Sequence, residues 1–174
     1  MRVALIPGSF DPITLGHVNI IERAAKVFDR VCVAVMNNDS SKYAANLSSK
    51  TYMFDMEKRL EMARLSTAHI QNVAVIGRSG MLLVDLFDEL EADAIVKGVR
   101  NAADLEYELI HAKWNREHNE RAETLFLPAD ERFDNLSSTL IRQLISKGDF
   151  DALEGLMSPE AIKLIKNTRN ILTE

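Results

Sequence analysis

The chain has 174 residues, of which 47% are hydrophobic and 27% are charged, and its formal net charge is -5. This length and composition predict one compact globular domain over residues 1–174 and exclude a disordered or fibrous chain. The negative balance argues against a protein built mainly to coat nucleic acid, which would need clustered Lys and Arg.

The cysteine content and the apolar runs restrict the kinds of site and the cellular location that we expect for the protein. Cys32 is the single cysteine and lies in the apolar run 31–35. One thiol can form neither a disulfide framework nor a cysteine metal cluster, so we predict that Cys32 is a core residue. The sequence enters a short strand directly after Met1, without a signal-peptide apolar region, and no apolar run is long enough to cross a membrane. We expect a cytoplasmic protein with neither a membrane nor a nucleic-acid partner.

Five continuously apolar runs predict strands of a parallel sheet that is covered on both faces. They are Val3–Ile6, Val31–Met36, Val73–Ile76, Ala94–Val96 and Thr124–Leu127. Segments with the apolar period of a helix lie between these strands. The first begins at Gly16 and has an apolar stripe that includes Val27 and Phe28, and the second begins at about Asp55 as its N-cap. The third covers Met81–Leu90, and the fourth runs from Asn101 to about His118.

This alternation predicts an α/β, Rossmann-like single domain with a five-stranded parallel sheet flanked by helices. After the last strand we predict a helical C-terminus over Ser138–Lys147, Asp151–Met157 and Pro159–Thr168. Ligands of such a sheet bind beyond the carboxyl ends of the strands. The candidate site segments are therefore 7–17, 37–51, 77–82, 97–108 and 128–139, of which 37–51 is a long irregular stretch.

The first strand exit reads Pro-Gly-Ser-Phe-Asp-Pro-Ile-Thr-Leu-Gly-His over residues 7–17. Its Thr14 and His17 lie at a predicted helix start, where unpaired N–H groups and a partial positive charge favour phosphate. Both side chains can donate hydrogen bonds to oxygens that gain charge during phosphoryl or nucleotidyl transfer. The alternative is an ordinary turn, in which Thr14 caps the helix and His17 is a surface residue. The string is neither a Walker-A loop nor a Gly-x-Gly-x-x-Gly loop.

The whole string resembles the signature of the nucleotidyltransferase superfamily that carries a (His/Thr)-x-Gly-His motif. Within it, the chain is similar to the phosphopantetheine adenylyltransferase family. Two further motifs support this resemblance: Lys97-Gly98-Val99-Arg100 followed by Asp104-Leu105-Glu106-Tyr107-Glu108, and Leu136-Ser137-Ser138-Thr139 before a helix that carries Arg142. The three motifs occur in order and span nearly the whole chain.

The resemblance implies transfer of AMP from ATP to 4'-phosphopantetheine, which gives 3'-dephospho-coenzyme A and pyrophosphate, with Mg²⁺ assisting and a homohexamer as the assembly. His17 is then the transition-state stabiliser. ATP is expected at Ser9, Phe10, Thr14, His17, Gly98, Val99, Arg100, Glu108, Phe133, Asp134, Asn135, Leu136, Ser137, Ser138 and Thr139. The acceptor substrate is expected at Ser9, Lys50, Leu82 and Lys97.

The sequence departs from this family at two places. Lys97 stands where the family usually has Arg, which keeps the charge but loses the bidentate fork. The loop before Lys50, identified by the following Met53-Phe54 and Glu57-x-Arg59, is longer than usual, so Lys42 is a rival for the role of Lys50.

The chemistry needs no covalent intermediate, because an acceptor phosphate is already a nucleophile at neutral pH and can attack the α-phosphorus in line. We predict a His17 hydrogen bond to the α-phosphate, from a charged or a neutral ring. Lys50 and Lys97 would hold the acceptor phosphate, and Arg100 with the 137–139 helix entry the leaving phosphates. Mg²⁺ would be held mostly by phosphates and water, so no protein metal ligand is predicted.

Structural explanations exist for the same residues. Lys97 and Arg100 could be solvated strand ends, Ser137–Thr139 a simple N-cap, and the acids Asp104, Glu106 and Glu108 a charged helix face that pairs with Lys113 or Arg116. Met81, Leu86, Phe87 and Trp114 are expected in the core or at a subunit contact, and His69, His111 and His118 lack metal-site spacing.

Two rival functions remain at this point. A sister nucleotidyltransferase would use nicotinamide mononucleotide or a cytidylyl donor, but such sisters usually carry His at the position of Thr14. A non-catalytic nucleotide-binding regulator would have a degenerate site, against which Thr14, His17, Arg100 and the 137–139 entry argue.

Overall fold

The computed structural model describes residues 1–37 and 51–171. The strands are β1 (Val3–Gly8), β2 (Arg30–Met36), β3 (Val73–Arg78), β4 (Ala94–Val99) and β5 (Thr124–Pro128). The helices are α1 (Leu15–Ala25), α2 (Met56–Thr67), α3 (Leu83–Glu89), α4 (Ala102–His118), α5 (Ser138–Lys147) and α6 (Pro159–Ile171). Short 3-10 helices cover Glu131–Phe133 and Asp151–Leu153.

The five strands of the described residues form one parallel sheet in the order β3-β2-β1-β4-β5. The predicted α/β class and parallel sheet are thus confirmed. Chain order reverses at β1, which pairs with β2 on one side and with β4 on the other. This reversal is the point at which open parallel sheets bind ligands, because the loops after the two neighbouring strands diverge there.

Alternate side chains of the central strands enter two separate cores, as the two-residue period of a strand requires. On β1, Ala4 and Ile6 pack with α1, α2, α5 and α6, whereas Val3 and Leu5 pack with α3. Cys32 is buried in the second core, where desolvation raises the pKa of its thiol. That core also holds Leu86 and Phe87, with Met81 and Trp114 packed against it.

The structure corrects two of the sequence predictions. Only Asp151–Leu153 of the predicted helix Asp151–Met157 is helical, in the 3-10 form, and Gly155 then adopts a left-handed φ of 74° that ends any helix. Val27 does not belong to the buried stripe of α1, since that helix ends at Ala25 and Val27 is 56% exposed.

Close packing of α1 on the sheet depends on a glycine in β4. A Cβ atom at Gly98 would lie 2.8 Å from Cγ1 of Ile20, which is closer than real side chains approach. Gly98 therefore lets α1 lie against the end of β4, and this brings the start of α1 towards the β4 exit. Among the described residues, no helix has the length and apolar character needed to cross a membrane.

Candidate active site

The loop after β1 is folded tightly around Phe10. This side chain is 4% exposed, and its φ of 44° is in the left-handed region that non-glycine residues rarely adopt. A Cβ atom at Gly8 would lie 2.9 Å from the Phe10 ring, so the turn requires glycine there. The ring contacts His17 edge-on, with centroids 5.2 Å apart and an interplanar angle of 80°.

Thr14 and His17 form a reciprocal cap at the start of α1. The Thr14 backbone N–H donates to Nδ1 of His17 over 3.0 Å, and the His17 backbone N–H donates to the Thr14 hydroxyl over 3.3 Å. The Thr14 hydroxyl also lies 3.0 Å from the same Nδ1. Thr14 is therefore the N-cap of α1, as in the alternative of an ordinary turn. His17, however, is part of the cap and not a plain surface residue.

These contacts define the protonation state of His17. An Nδ1 atom that accepts a hydrogen bond from a backbone N–H carries no proton, so the neutral ring carries its proton on Nε2. Burial, and to a smaller extent the nearby positive charge of Arg100, together lower the pKa of His17 to about 4. At neutral pH the ring is an uncharged Nε2–H donor.

Arg100 lies at the end of β4 and is fixed from two sides. Its Nε and Nη2 donate to the Asp104 carboxylate over 2.7 and 3.1 Å, and its Nη1 donates to the Leu136 carbonyl over 3.0 Å. The hydrogen bonds from Arg100 lower the pKa of Asp104, so the pair is charged. The same guanidinium connects the β4 exit to the segment before α5.

Lys97 and Glu108 form a second ion pair at this edge. The Lys97 ammonium nitrogen lies 3.2 Å from Oε2 and 3.5 Å from Oε1 of Glu108, and the two side chains are only 22% and 19% exposed. Glu108 thus contacts neither Lys113 nor Arg116 in the way that a plain charged helix face would require. Arg116 instead pairs with Glu123.

The segment 133–139 closes the site from a third direction. Ser137 is the N-cap of α5 and its hydroxyl accepts the Leu140 N–H, whereas the Ser138 hydroxyl donates to the Pro12 carbonyl over 2.8 Å. A Cβ atom at Gly16 would lie 3.3 Å from Cβ of Phe133. The start of α5 is therefore held against the loop before α1 and the first turn of that helix, which contains His17.

Most of the predicted residues meet where β1, β4 and α5 come together. Leu82 lies at the N-cap of α3, beyond β3, and no described contact links it to His17 or Arg100. Lys50 and Lys42 lie outside the described residues. A cavity of about 410 Å³ adjoins the α5 entry and is lined by Met53, Thr139, Arg142, Gln143, Ser146 and Lys147. Another, of about 480 Å³, lies along α6, and its described lining includes none of the predicted residues.

Two charged residues next to the site received no role from the sequence. Asp11 is fully buried and accepts the backbone N–H groups of Met53 and Phe54 over 2.9 and 3.0 Å. Arg59 is 1% exposed and donates to the Ser9 carbonyl over 2.8 Å. The available signal was a charge on the buried stripe of α2, because Arg59 precedes Met62 and Ala63 by three and four positions.

The histidines outside the site have other contacts. His69 pairs with Glu22, His111 packs against Tyr107, and His118 stacks on Trp114. Within residues 1–37 and 51–171, no group of three or more His, Cys, Asp or Glu side chains is placed to hold a metal ion.

Three comparisons place the chain among known proteins. The family model described as cytidylyltransferase-like matches residues 5–144. A phosphopantetheine adenylyltransferase of Actinobacillus succinogenes is 42% identical over 87% of this chain and 88% of its own, and one of Clostridium novyi is 41% identical over 96% of both. A crystal structure from Vibrio parahaemolyticus, provisionally named a nicotinate-nucleotide adenylyltransferase, has a TM-score of 0.69 at 20% identity over 96% of this chain and 93% of its own. The last comparison concerns the fold alone.

The state of His17 can be tested by ¹⁵N NMR of the imidazole across a pH titration. From about pH 8 to about pH 5 we expect a neutral ring with the proton on Nε2, because the pKa is lowered to about 4. A midpoint near the ordinary 6.5, or a proton on Nδ1, would contradict the cap geometry.

The same shift has a consequence for folding. The unfolded chain binds a proton at His17 at a higher pH than the folded chain does, so the stability contributed by this residue is complete above pH 6.5 and is lost as the pH falls towards about 4. Urea unfolding at a series of pH values measures this as a fall in the free energy of unfolding between pH 6.5 and about 4. In the control variant His17→Gln, this fall should be smaller.

Proposed function

The chain belongs to the phosphopantetheine adenylyltransferase family, and on that premise we propose that it transfers AMP from ATP to 4'-phosphopantetheine, with 3'-dephospho-coenzyme A and pyrophosphate as products. The observation that supports this function in the structure is the convergence of His17, Arg100 and the start of α5 at the ends of β1 and β4. Such a site can bind a triphosphate and a second anion together.

The acceptor phosphate attacks the α-phosphorus in line, and pyrophosphate leaves. We propose that the neutral His17 ring donates Nε2–H to a non-bridging oxygen of the α-phosphate. Charge on that oxygen grows as the new bond forms, so a donor already fixed by Thr14 stabilises the transition state more than the ground state. No protein nucleophile is needed, and no covalent intermediate forms.

The cations of the site have separate tasks. Lys97, together with Lys50 beyond the described residues, holds the acceptor phosphate, while Arg100 and the 137–139 entry hold the leaving β- and γ-phosphates. The remaining proposed ATP contacts are Ser9, Phe10, Thr14, Gly98, Val99, Glu108 and residues 133–136, and the remaining acceptor contacts are Ser9 and Leu82. Asp104 and Glu108 already neutralise Arg100 and Lys97, so both cations are held in place before an anion binds.

Mg²⁺ fits this site as an ion held by ATP phosphates and water, because the nearby carboxylates of Asp104 and Glu108 are engaged by cations. When bound, it offsets negative charge on the phosphoryl oxygens. We also propose a cytoplasmic homohexamer. The large apolar side chains Tyr107, Leu109 and Ile110 on α4 and Leu125 on β5 are exposed, which supports a subunit contact through these two elements.

The reaction is tested by incubating the protein with ATP, Mg²⁺ and 4'-phosphopantetheine and measuring pyrophosphate. We expect pyrophosphate release that depends on 4'-phosphopantetheine. Release only with nicotinamide mononucleotide would move the chain to the sister enzymes, and ATP binding without turnover on either acceptor would indicate a regulator.

Replacing His17 tests the transition-state role. In His17→Ala we expect turnover to fall by about 10²–10³-fold, the cost of one preorganised donor, while the dissociation constant of ATP changes by no more than about three-fold. The exposed His111→Ala serves as the control. A mild effect of His17→Ala on kcat would remove the proposed role.

Replacing Lys97 separates acceptor binding from ATP binding. In Lys97→Ala we expect the KM for 4'-phosphopantetheine to rise by about ten-fold or more, because a charge-assisted contact to its phosphate is lost, with ATP affinity nearly unchanged. Lys113→Ala, an exposed lysine of α4, is the matched control. If ATP binding weakened instead, Lys97 would belong to the nucleotide side.

A further inference from the structure

Arg59 is the largest of the fully buried side chains in the described residues, yet it is charged at any physiological pH. Burial lowers the pKa of its guanidinium, and the Asp11 carboxylate counteracts this. A buried charge must be fully hydrogen-bonded to be tolerated, so the partners of Arg59 show what the fold gains from it.

The three donor groups of Arg59 contact three different segments. Nη1 donates to the Ser9 carbonyl over 2.8 Å, Nε donates to the Phe54 carbonyl over 3.0 Å, and Nη2 donates to the amide oxygen of Asn37. The guanidinium also lies 4.2 Å from the centroid of the Tyr52 ring. Through these hydrogen bonds, one side chain of α2 connects the β1 exit, the β2 exit and the entry to α2.

Asp11 also connects the β1 exit to the entry of α2, and in addition to α5. Its carboxylate accepts the N–H groups of Met53 and Phe54, and its carbonyl accepts Nη1 of Arg142 over 2.7 Å. The two residues that flank Phe10 are therefore both fixed, Ser9 by Arg59 and Asp11 by these contacts. Phe10 is held between them in its left-handed conformation.

The position of the Phe10 ring affects the position of the His17 imidazole, because the two rings are in contact. The Phe10 ring packs edge-on against the imidazole, and it fills the space beside Gly8 that a Cβ atom would need. Release of the Ser9 carbonyl would allow Phe10 to leave the left-handed region, and the ring that supports one side of His17 would move with it.

We propose that Arg59 is a positioning residue, which holds Ser9 and Phe10 in the conformation that aligns His17 with the α-phosphate. The inference rests on the proposed function, because its kinetic effect concerns the same site. Arg59 does not touch the reacting atoms; it acts through the backbone of the β1 exit. A small displacement of a catalytic donor is enough to reduce turnover strongly.

Arg59→Lys tests this, since it keeps the charge but cannot supply the three-way fork. We expect kcat for pyrophosphate release to fall by about ten- to a hundred-fold, with the ATP dissociation constant changed by no more than about three-fold. Arg64→Lys, the same substitution at an exposed position of the same helix, should leave both values unchanged.

A loss of stability alone is distinguished by Met62→Ala, which removes buried volume from α2 but none of the hydrogen-bond partners of Arg59. This variant should have a lower Tm and an unchanged kcat when assayed well below that Tm. If Met62→Ala and Arg59→Lys reduced kcat equally at equal stability, or if Arg59→Lys left kcat unchanged, the positioning role would be wrong.

Two further measurements keep the inference testable if Arg59→Lys does not fold or if the reaction is another one. Asn37→Ala removes the acceptor of Nη2 and should change kcat in the same direction by a smaller factor. NMR shifts and the backbone coupling of Phe10 report its φ without any turnover, and they should change in Arg59→Lys or Asn37→Ala but not in Arg64→Lys. Unchanged Phe10 signals in the folded variant would overturn the inference. If the unmodified protein showed no turnover while the Phe10 signals still changed in Arg59→Lys, the proposed reaction would be refuted and the effect of Arg59 on the β1 exit would stand.

Discussion

The pairing of β1 with β4 is the constraint on which the site depends. Segments 90 residues apart in the chain become neighbours when Ala4 and Leu5 lie opposite Ala94 and Ile95. Because both strands run in the same direction, their carboxyl ends open at one edge. The loop that leads into α1 and His17, and the loop that carries Arg100, then lie next to each other, and the start of α5 is fixed to both, through Ser138 to the first and through Leu136 to the second.

The site combines a neutral donor with cations that already have counter-ions. Thr14 and burial keep His17 uncharged, so it can donate a hydrogen bond without attracting a carboxylate. Arg100 is balanced by Asp104 and Lys97 by Glu108, so each of these two cations has a counter-ion beside it. The family resemblance assigns Glu108 to ATP and Lys97 to the acceptor. Because the two side chains form an ion pair, Glu108 also holds the Lys97 side chain in place.

Several elements were predictable because each depends on a local pattern. Continuous apolar runs predicted all five strands of the described sheet, and Asp55 was recognised as the N-cap of α2, where it accepts the Lys58 N–H. Local patterns gave wrong predictions where distant contacts or a single backbone angle end a helix. Val27 was expected on the buried stripe of α1 but follows the end of that helix, and the left-handed Gly155 lies inside the predicted helix Asp151–Met157. Lys50 keeps its predicted role as a proposal, because it lies outside the described residues.

The amino-acid sequence was enough to predict the fold class, the strand exits to inspect and the motif that contains His17, since apolar periodicity and short-range spacing are properties of the chain alone. It left open whether His17 is charged, what Glu108 contacts and that Arg59 has any role near the site. Those answers depend on burial and on hydrogen bonds between residues far apart in sequence, such as Ser9 with Arg59 and Arg100 with Leu136. Desolvation and long-range hydrogen-bond partners exist only once the chain has packed, so these properties follow from the folded structure and not from local patterns.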